Sequence, residues 1–197
     1  MIAVKSKVLL ACIISIFFLA VGTQHAWCEA EQQPGPPNFG EVTQTLYRGG
    51  QPTPDGFARL QSMGVGLIIN FREDGSEIAS EKRQVEGLGM KYVGLPWNAH
   101  HQPSSADVAQ FLQIIQAHPN TKIFVHCRRG ADRTGLMVAA YRVAVEHWKV
   151  ADAIAEMNQF HFSGFWHSQL SRYVKSLPSL LQNESAFKSL APVQTAP

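Results

Sequence analysis

One stretch limits what this chain can fold into more than any other: Val125-His126-Cys127-Arg128-Arg129-Gly130-Ala131-Asp132-Arg133-Thr134-Gly135. A β-rich apolar run over 122–125 leads into it and an apolar helical pattern over 136–145 leaves it. Between them, Cys127 and Arg133 stand six positions apart around a glycine-bearing loop. Strand, tight loop and helix N-terminus together make an anion cradle, because successive backbone N–H groups turn inward and the helix dipole favours negative charge at its start. A cysteine at the mouth of such a cradle is expected to be held as the nucleophilic thiolate. An arginine at its far end offers a planar fork for two phosphoryl oxygens. These are the parts needed to attack a phosphate monoester.

The stretch resembles the signature of cysteine-dependent phosphatases: His-Cys, five residues, Arg, then Ser or Thr. Within it, Cys127-Arg128-Arg129-Gly130-Ala131-Asp132-Arg133-Thr134 is similar to the Cys-x-x-Gly-x-Asp-Arg-Thr subclass. Leu46-Tyr47-Arg48-Gly49-Gly50-Gln51-Pro52, Ile69-Asn70-Phe71-Arg72, Tyr141-Arg142-Val143 and Ala153-Ile154-Ala155-Glu156-Met157 resemble small atypical dual-specificity phosphatases, over roughly residues 44–177. The resemblance implies that Cys127 forms a phosphocysteine that water then hydrolyses. It implies that Arg133 and the amides of Arg128, Arg129, Gly130, Ala131 and Asp132 bind the phosphoryl group. Thr134 would help Cys127 leave, and His126 would hold the loop rather than shuttle protons. Gly49 departs from the serine frequent in relatives. A sulfur-transfer loop of rhodanese type is the nearest chemical rival, but its cysteine loop is shorter.

The general acid is less determined. In dual-specificity phosphatases it is an aspartate after the strand preceding the loop's own strand, and the corresponding residues 91–101 contain no carboxylate. Asp107 follows, but Ser104-Ser105-Ala106-Asp107 reads as a capping box. Asp132 is either the acid, as the resemblance implies, or a brace for neighbouring amides. His100 and His101 are a third option, since histidine as a residue type titrates in the useful range. Arg48 and Arg72 are expected to end strands and pair with a surface carboxylate such as Glu73 or Asp74, rather than to meet a second phosphate. Phe160, Phe162, Phe165 and Trp166 are expected in the core, and Trp97 as a wall of the cleft.

The ends of the chain follow different rules. Lys5 and Lys7 precede an apolar run of 14 residues over 8–21, a signal-peptide pattern. That run spans roughly 21 Å, short of a ~30 Å hydrocarbon core. Residues 1–30 are therefore read as a signal peptide or N-terminal anchor and 31–43 as a linker. Residues 44–177 are read as the phosphatase domain and 178–197 as a disordered tail. Export follows, to a periplasmic or secreted location, with membrane contact only through an uncleaved N-terminal segment. Of three cysteines, Cys12 and Cys28 lie in that leader, so the exported domain keeps the single thiol Cys127. Of 17 basic and 15 acidic side chains, Lys5, Lys7 and Glu29 lie in the first 30 residues, leaving 15 and 14. That balance gives no footprint for nucleic acid.

Periodicity predicts strands over 42–47, 65–71, 91–95 and 122–125, with residues 48–52 as a turn. It predicts helices over 53–63, 76–88, 106–117, 135–147, 150–160 and 166–176. The alternation gives an α/β fold: a central, mostly parallel sheet flanked by helices, with the phosphate loop between a central strand and the next helix. The expected function is phosphomonoester hydrolysis on a phosphotyrosine-type protein or a phosphorylated inositol. No metal or other cofactor is expected. The alternative from another class is a pseudophosphatase that binds phosphate without turnover.

Overall fold

The central strand carries apolar side chains on both faces, and that sets the layering. In the computed structural model, which describes residues 35–73 and 75–190, the strands are β1 (Gly40–Glu41), β2 (Leu46–Gly49), β3 (Val65–Asn70), β4 (Lys91–Gly94) and β5 (Lys122–His126). They form one sheet in the order β1-β2-β5-β3-β4, antiparallel only at β1. Ile123 and Val125 point to one side of β5 with Leu46, Leu67 and Ile69, while Phe124 points to the other with Tyr47 and Ile68. Helices α1 (Pro54–Ser62) and α2 (Gly75–Gly87) cover the second face through Phe57, Leu60 and Val85. Helices α3 (Ser105–Ala117), α4 (Asp132–Ala144), α5 (Val150–Gln159) and α6 (Ser168–Asn183) cover the first. Parallel strands buried on both faces read as continuous apolar runs, as β3 and β5 do.

Local chemistry sets the helix ends. Thr53 Oγ1 accepts from Gly56 N at 3.1 Å with Pro54 in the first turn, and Gly64 follows the helix at φ +82°. At α3, Ser104 and Asp107 form the expected capping box. Arg142 on α4 grips Glu156 on α5 through bonds of 2.6–3.2 Å and donates to Val42 O at 3.0 Å. The motifs Tyr141-Arg142-Val143 and Ala153-Ile154-Ala155-Glu156-Met157, which flank the loop motif, thereby meet as one buried ion pair.

Four boundaries differ from the sequence reading. Of the opening strand expected over 42–47 only Leu46 and Tyr47 are strand, the start of β2, because Thr43 Oγ1 accepts from Thr45 N and Leu46 N and bends the chain between β1 and β2. Arg48 and Gly49 therefore belong to β2, and only the chain beyond them turns. Within the expected linker, Gly40–Glu41 pairs with β2 and Pro36 is buried. Helix α4 begins three residues earlier than predicted, at the end of the loop itself. The expected disordered tail is ordered from 178 to 190: α6 runs through Pro178 to Asn183, and Phe187 is buried. A mid-helix proline costs about 3 kcal/mol, which the apolar stripe Leu170, Val174, Leu177, with Leu180 and Leu181 beyond, outweighs by packing on the core. Residues 1–34 and 191–197 lie outside the described residues, and with them the signal peptide, the start of the linker and the last of the tail.

Candidate active site

Register brings the carboxyl ends of β2, β5 and β3 level, with Gly49 beside His126 and Asn70 beside His126. Cys127 follows directly. The loop then passes Gly130, whose φ of +72° suits glycine, and any Cβ there would lie 2.4 Å from the Gly49 backbone. Helix α4 starts at Asp132 with no side-chain cap at Ala131, unlike α1 and α3. Its first amides are thus left for an anion.

A cleft of about 700 Å³ opens over this point, lined by Cys127, Arg128, Arg129, Asp132 and Arg133 from the loop. Glu73, His100 and His167 stand on its walls. Arg133 is held from behind: its Nη1 donates to Phe71 O at 3.1 Å and Trp97 O at 3.3 Å. Trp97 acts here through its carbonyl, since its side chain is buried in the core. Arg128 and Arg129 are exposed on the rim. Thr134 Oγ1 is buried and has no hydrogen-bond partner among the described residues.

Asp132 is buried with both carboxylate oxygens engaged. Oδ1 accepts from Ser163 N and Oδ2 from Arg129 Nη2, each at 2.8 Å. This is bracing geometry, tying the loop to the turn between α5 and α6. Asp107 stays in its capping box, and neither it nor His101 lines the cleft. His100 does, with its ring centroid 5.5 Å from that of His167.

His126 is fully buried and fixed at both nitrogens. Nε2 lies 2.9 Å from Glu81 Oε1, and Nδ1 lies 3.3 Å from Cys127 O. Glu81 also accepts from Asn70 Nδ2 at 3.1 Å and Gln51 Nε2 at 2.7 Å. Arg72 joins through Gln51 Oε1 at 2.5 Å and through Glu77. Gln51, Asn70 and Arg72, members of two flanking motifs, thus converge beneath the nucleophile's neighbour. Glu81 was missed by sequence reading, which gave residues 76–88 as a helix and assigned no role to its carboxylates. The available signal was its place on the inward stripe with Ile78, Val85 and Leu88. His167 was missed because its neighbourhood is set by the α5–α6 turn.

Burial alone would raise the Glu81 carboxyl, but hydrogen bonds from His126 and Gln51 and the charges of His126 and Arg72 leave it below its ordinary value. A carboxylate lowered on folding stabilises the fold above its unfolded value of 4.5, and that contribution is lost as pH falls through the folded value. Glu81→Gln is therefore expected to cost about 2 kcal/mol at neutral pH. The variant should also lose less stability than wild type between about pH 5 and pH 3. Melting temperatures across that range check both statements.

Arg48 and the aromatic string depart from expectation. Arg48 is fully buried, neither at the mouth nor on the surface. Of the aromatics, Phe162 packs on the core and Phe160 lies under the Arg48 guanidinium at 3.8 Å. Phe165 and Trp166 are 88% and 77% exposed, because the turn between α5 and α6 carries them off the core.

Comparison with known proteins gives a consistent picture. Residues 30–175 match the family model described as DSP-PTPase phosphatase fused to NAD+ kinase. The dual specificity protein phosphatase TpbA of Pseudomonas aeruginosa (strain UCBPP-PA14) is 26% identical over 165 residues, 79% of this chain and 72% of its own. A crystal structure of a P. aeruginosa TpbA variant in complex with pTyr superposes with a TM-score of 0.62 at 25% identity, over 74% of this chain and 91% of that one. The catalytic core of the PP-IP phosphatase SIW14 from S. cerevisiae shares the fold, with a TM-score of 0.63 at 19% identity over 82% and 98% of the two chains.

Proposed function

The chain belongs to the DSP-PTPase phosphatases, and from that premise we propose that it hydrolyses phosphotyrosine-type monoesters through a phosphocysteine on Cys127. The observation that carries this reading is the meeting of Cys127, Arg133 and the uncapped start of α4 at one cleft. Cys127 attacks phosphorus, and the ester oxygen leaves with the bonding pair. Arg133 and the loop amides hold the equatorial oxygens, and water then attacks the phosphocysteine to release orthophosphate and thiolate. Thr134 Oγ1, buried and without a hydrogen-bond partner among the described residues, is placed to donate to the departing sulfur. The pTyr complex of TpbA supports the aromatic ester as substrate. The exposed Arg128 and Arg129 favour a second reading, a phosphorylated inositol. Comparing kcat/KM for a phosphotyrosine peptide and for inositol hexakisphosphate decides between them, with the peptide expected to be the better substrate.

His100 and His167 are the groups placed to supply the leaving oxygen's proton, since both oxygens of Asp132 already accept hydrogen bonds. Loss of a general acid is felt by poor leaving groups and hardly by p-nitrophenolate. His100→Asn and His167→Asn are expected to slow an alkyl phosphate about 100-fold while p-nitrophenyl phosphate hydrolysis changes little. Asp132→Asn should slow both substrates to a similar degree. The opposite pattern would move the acid to Asp132.

Export is part of the proposal and rests on the leader pattern over residues 5–30. Among the described residues no helix is long and apolar enough to cross a membrane. Fractionation of cells expressing the full chain, with and without residues 2–30, tests it.

A further inference from the structure

We propose that Arg48 is a positioning residue for the phosphate loop, holding the Gly130 peptide from behind and standing as a buried cation on the closed side of the loop that Cys127 begins. The proposal deepens the phosphatase reading and rests on it.

Three successive loop carbonyls are held from the same side. Gln51 N donates to Arg128 O at 3.1 Å, Asn38 Nδ2 to Arg129 O at 3.3 Å, and Arg48 Nη2 to Gly130 O at 3.0 Å. In a planar trans peptide the carbonyl and the N–H point opposite ways. Drawing these carbonyls toward the backing segment therefore sends the amides of Arg129, Gly130 and Ala131 the other way, toward the cleft. The contact is close: a Cβ on Gly50 would lie 3.0 Å from the Arg129 backbone, and one on Gly49 would lie 2.8 Å from the Phe124 ring. That accounts for glycine at both positions.

Packing alone does not account for an arginine here. Arg48 is fully buried, makes the one hydrogen bond to Gly130 O, and leaves Nε and Nη1 without hydrogen-bond partners among the described residues. Burying a cation so thinly satisfied is costly unless negative charge lies near. The face of Phe160 supplies part of that compensation at 3.8 Å. The charged groups that act on it are Glu156 from α5, Cys127 from the loop and, with the opposite sign, Arg142 from α4. Burial lowers its guanidinium to about 10, against the raising effect of Glu156 and Cys127, so it stays a cation at neutral pH. A fixed positive charge on the closed side of the loop favours both the thiolate and a bound phosphate dianion on the open side.

The test uses the full chain with Arg48→Met and Arg48→Lys, each checked by circular dichroism. Alkylation by iodoacetamide is followed on the Cys127 peptide by mass spectrometry, since Cys12 and Cys28 also react. The readouts are kcat/KM for p-nitrophenyl phosphate, the orthophosphate concentration that protects Cys127, and the pH profile of its alkylation. Arg48→Met is expected to lose about 30-fold in kcat/KM, to need about tenfold more orthophosphate for protection, and to move the alkylation profile about one unit to higher pH. Arg48→Lys should restore most of the profile and only part of the turnover, because an ammonium on a shorter stem keeps the charge and not the Gly130 bond. A folded Arg48→Met with wild-type protection and profile overturns the proposal. If Arg48→Met does not fold, Asn38→Ala reads the clamp alone. It should then need about threefold more orthophosphate, and wild-type protection overturns the proposal. A wild-type chain without turnover would remove the phosphatase reading, while protection and profile would still decide the role of Arg48.

Discussion

Replacing Cys127 by serine is expected to reduce hydrolysis of p-nitrophenyl phosphate by about 10⁴-fold or more. The exchange alters one atom at a buried position between β5 and the loop, so the fold and the cradle persist. What changes is the nucleophile. A serine hydroxyl stays protonated without a base to take its proton, and His126 is fully engaged with Glu81 and the Cys127 carbonyl. Orthophosphate should still bind, because Arg133 and the loop amides remain, and titration calorimetry on the variant measures that directly. Loss of turnover together with loss of phosphate binding would point to collapse of the loop rather than removal of the nucleophile. Retained turnover would exclude Cys127 from the chemistry and leave the cradle as a recognition module.

Replacing Arg133 by lysine is expected to lower kcat/KM about 10³-fold. One edge of the guanidinium is committed to the carbonyls of Phe71 and Trp97, at the ends of β3 and beyond β4. Those bonds fix the plane of the fork, and the remaining edge is what the phosphoryl oxygens meet. Lysine offers a single point charge, so the group that reaches the carbonyls is the same group that must reach the phosphate. Nearby Glu73, with Oε2 4.0 Å from Arg133 Nη1, would then compete for the ammonium. Steady-state kinetics give the answer: a loss in both kcat and kcat/KM fits transition-state binding by the fork, and a change confined to KM contradicts it.

These effects concern residues that were legible in the sequence, because the strand, loop and helix that carry them are contiguous. The α/β class, the mostly parallel sheet, the short helix over 53–63 and the Ser104–Asp107 box were legible for the same reason: each signal lies within a few residues. What the sequence hid is long-range. Glu81 meets His126 across 45 positions, and Arg48 meets Gly130 across 82. No local pattern distinguishes a carboxylate that anchors a buried histidine from one on a wet helix face, except an apolar stripe on which it sits out of place. The flanking motifs show no chemistry one by one because their members work only after folding, with Gln51, Asn70 and Arg72 gathered around Glu81. The aromatic string misled for a related reason: Phe160, Phe162, Phe165 and Trp166 share a composition but not an environment. Pro178 misled as well, since its local penalty is outweighed by leucines that find the core only in the folded chain.

The most direct test of the central claim is hydrolysis of p-nitrophenyl phosphate by the full chain with chelator and reductant present, before and after alkylation of Cys127 in the presence or absence of orthophosphate. The expected result is turnover that survives the chelator, disappears as the Cys127 peptide becomes alkylated, and is preserved when orthophosphate occupies the cleft. Turnover that persists in protein fully alkylated at Cys127, or no turnover in folded, unmodified protein, would contradict it.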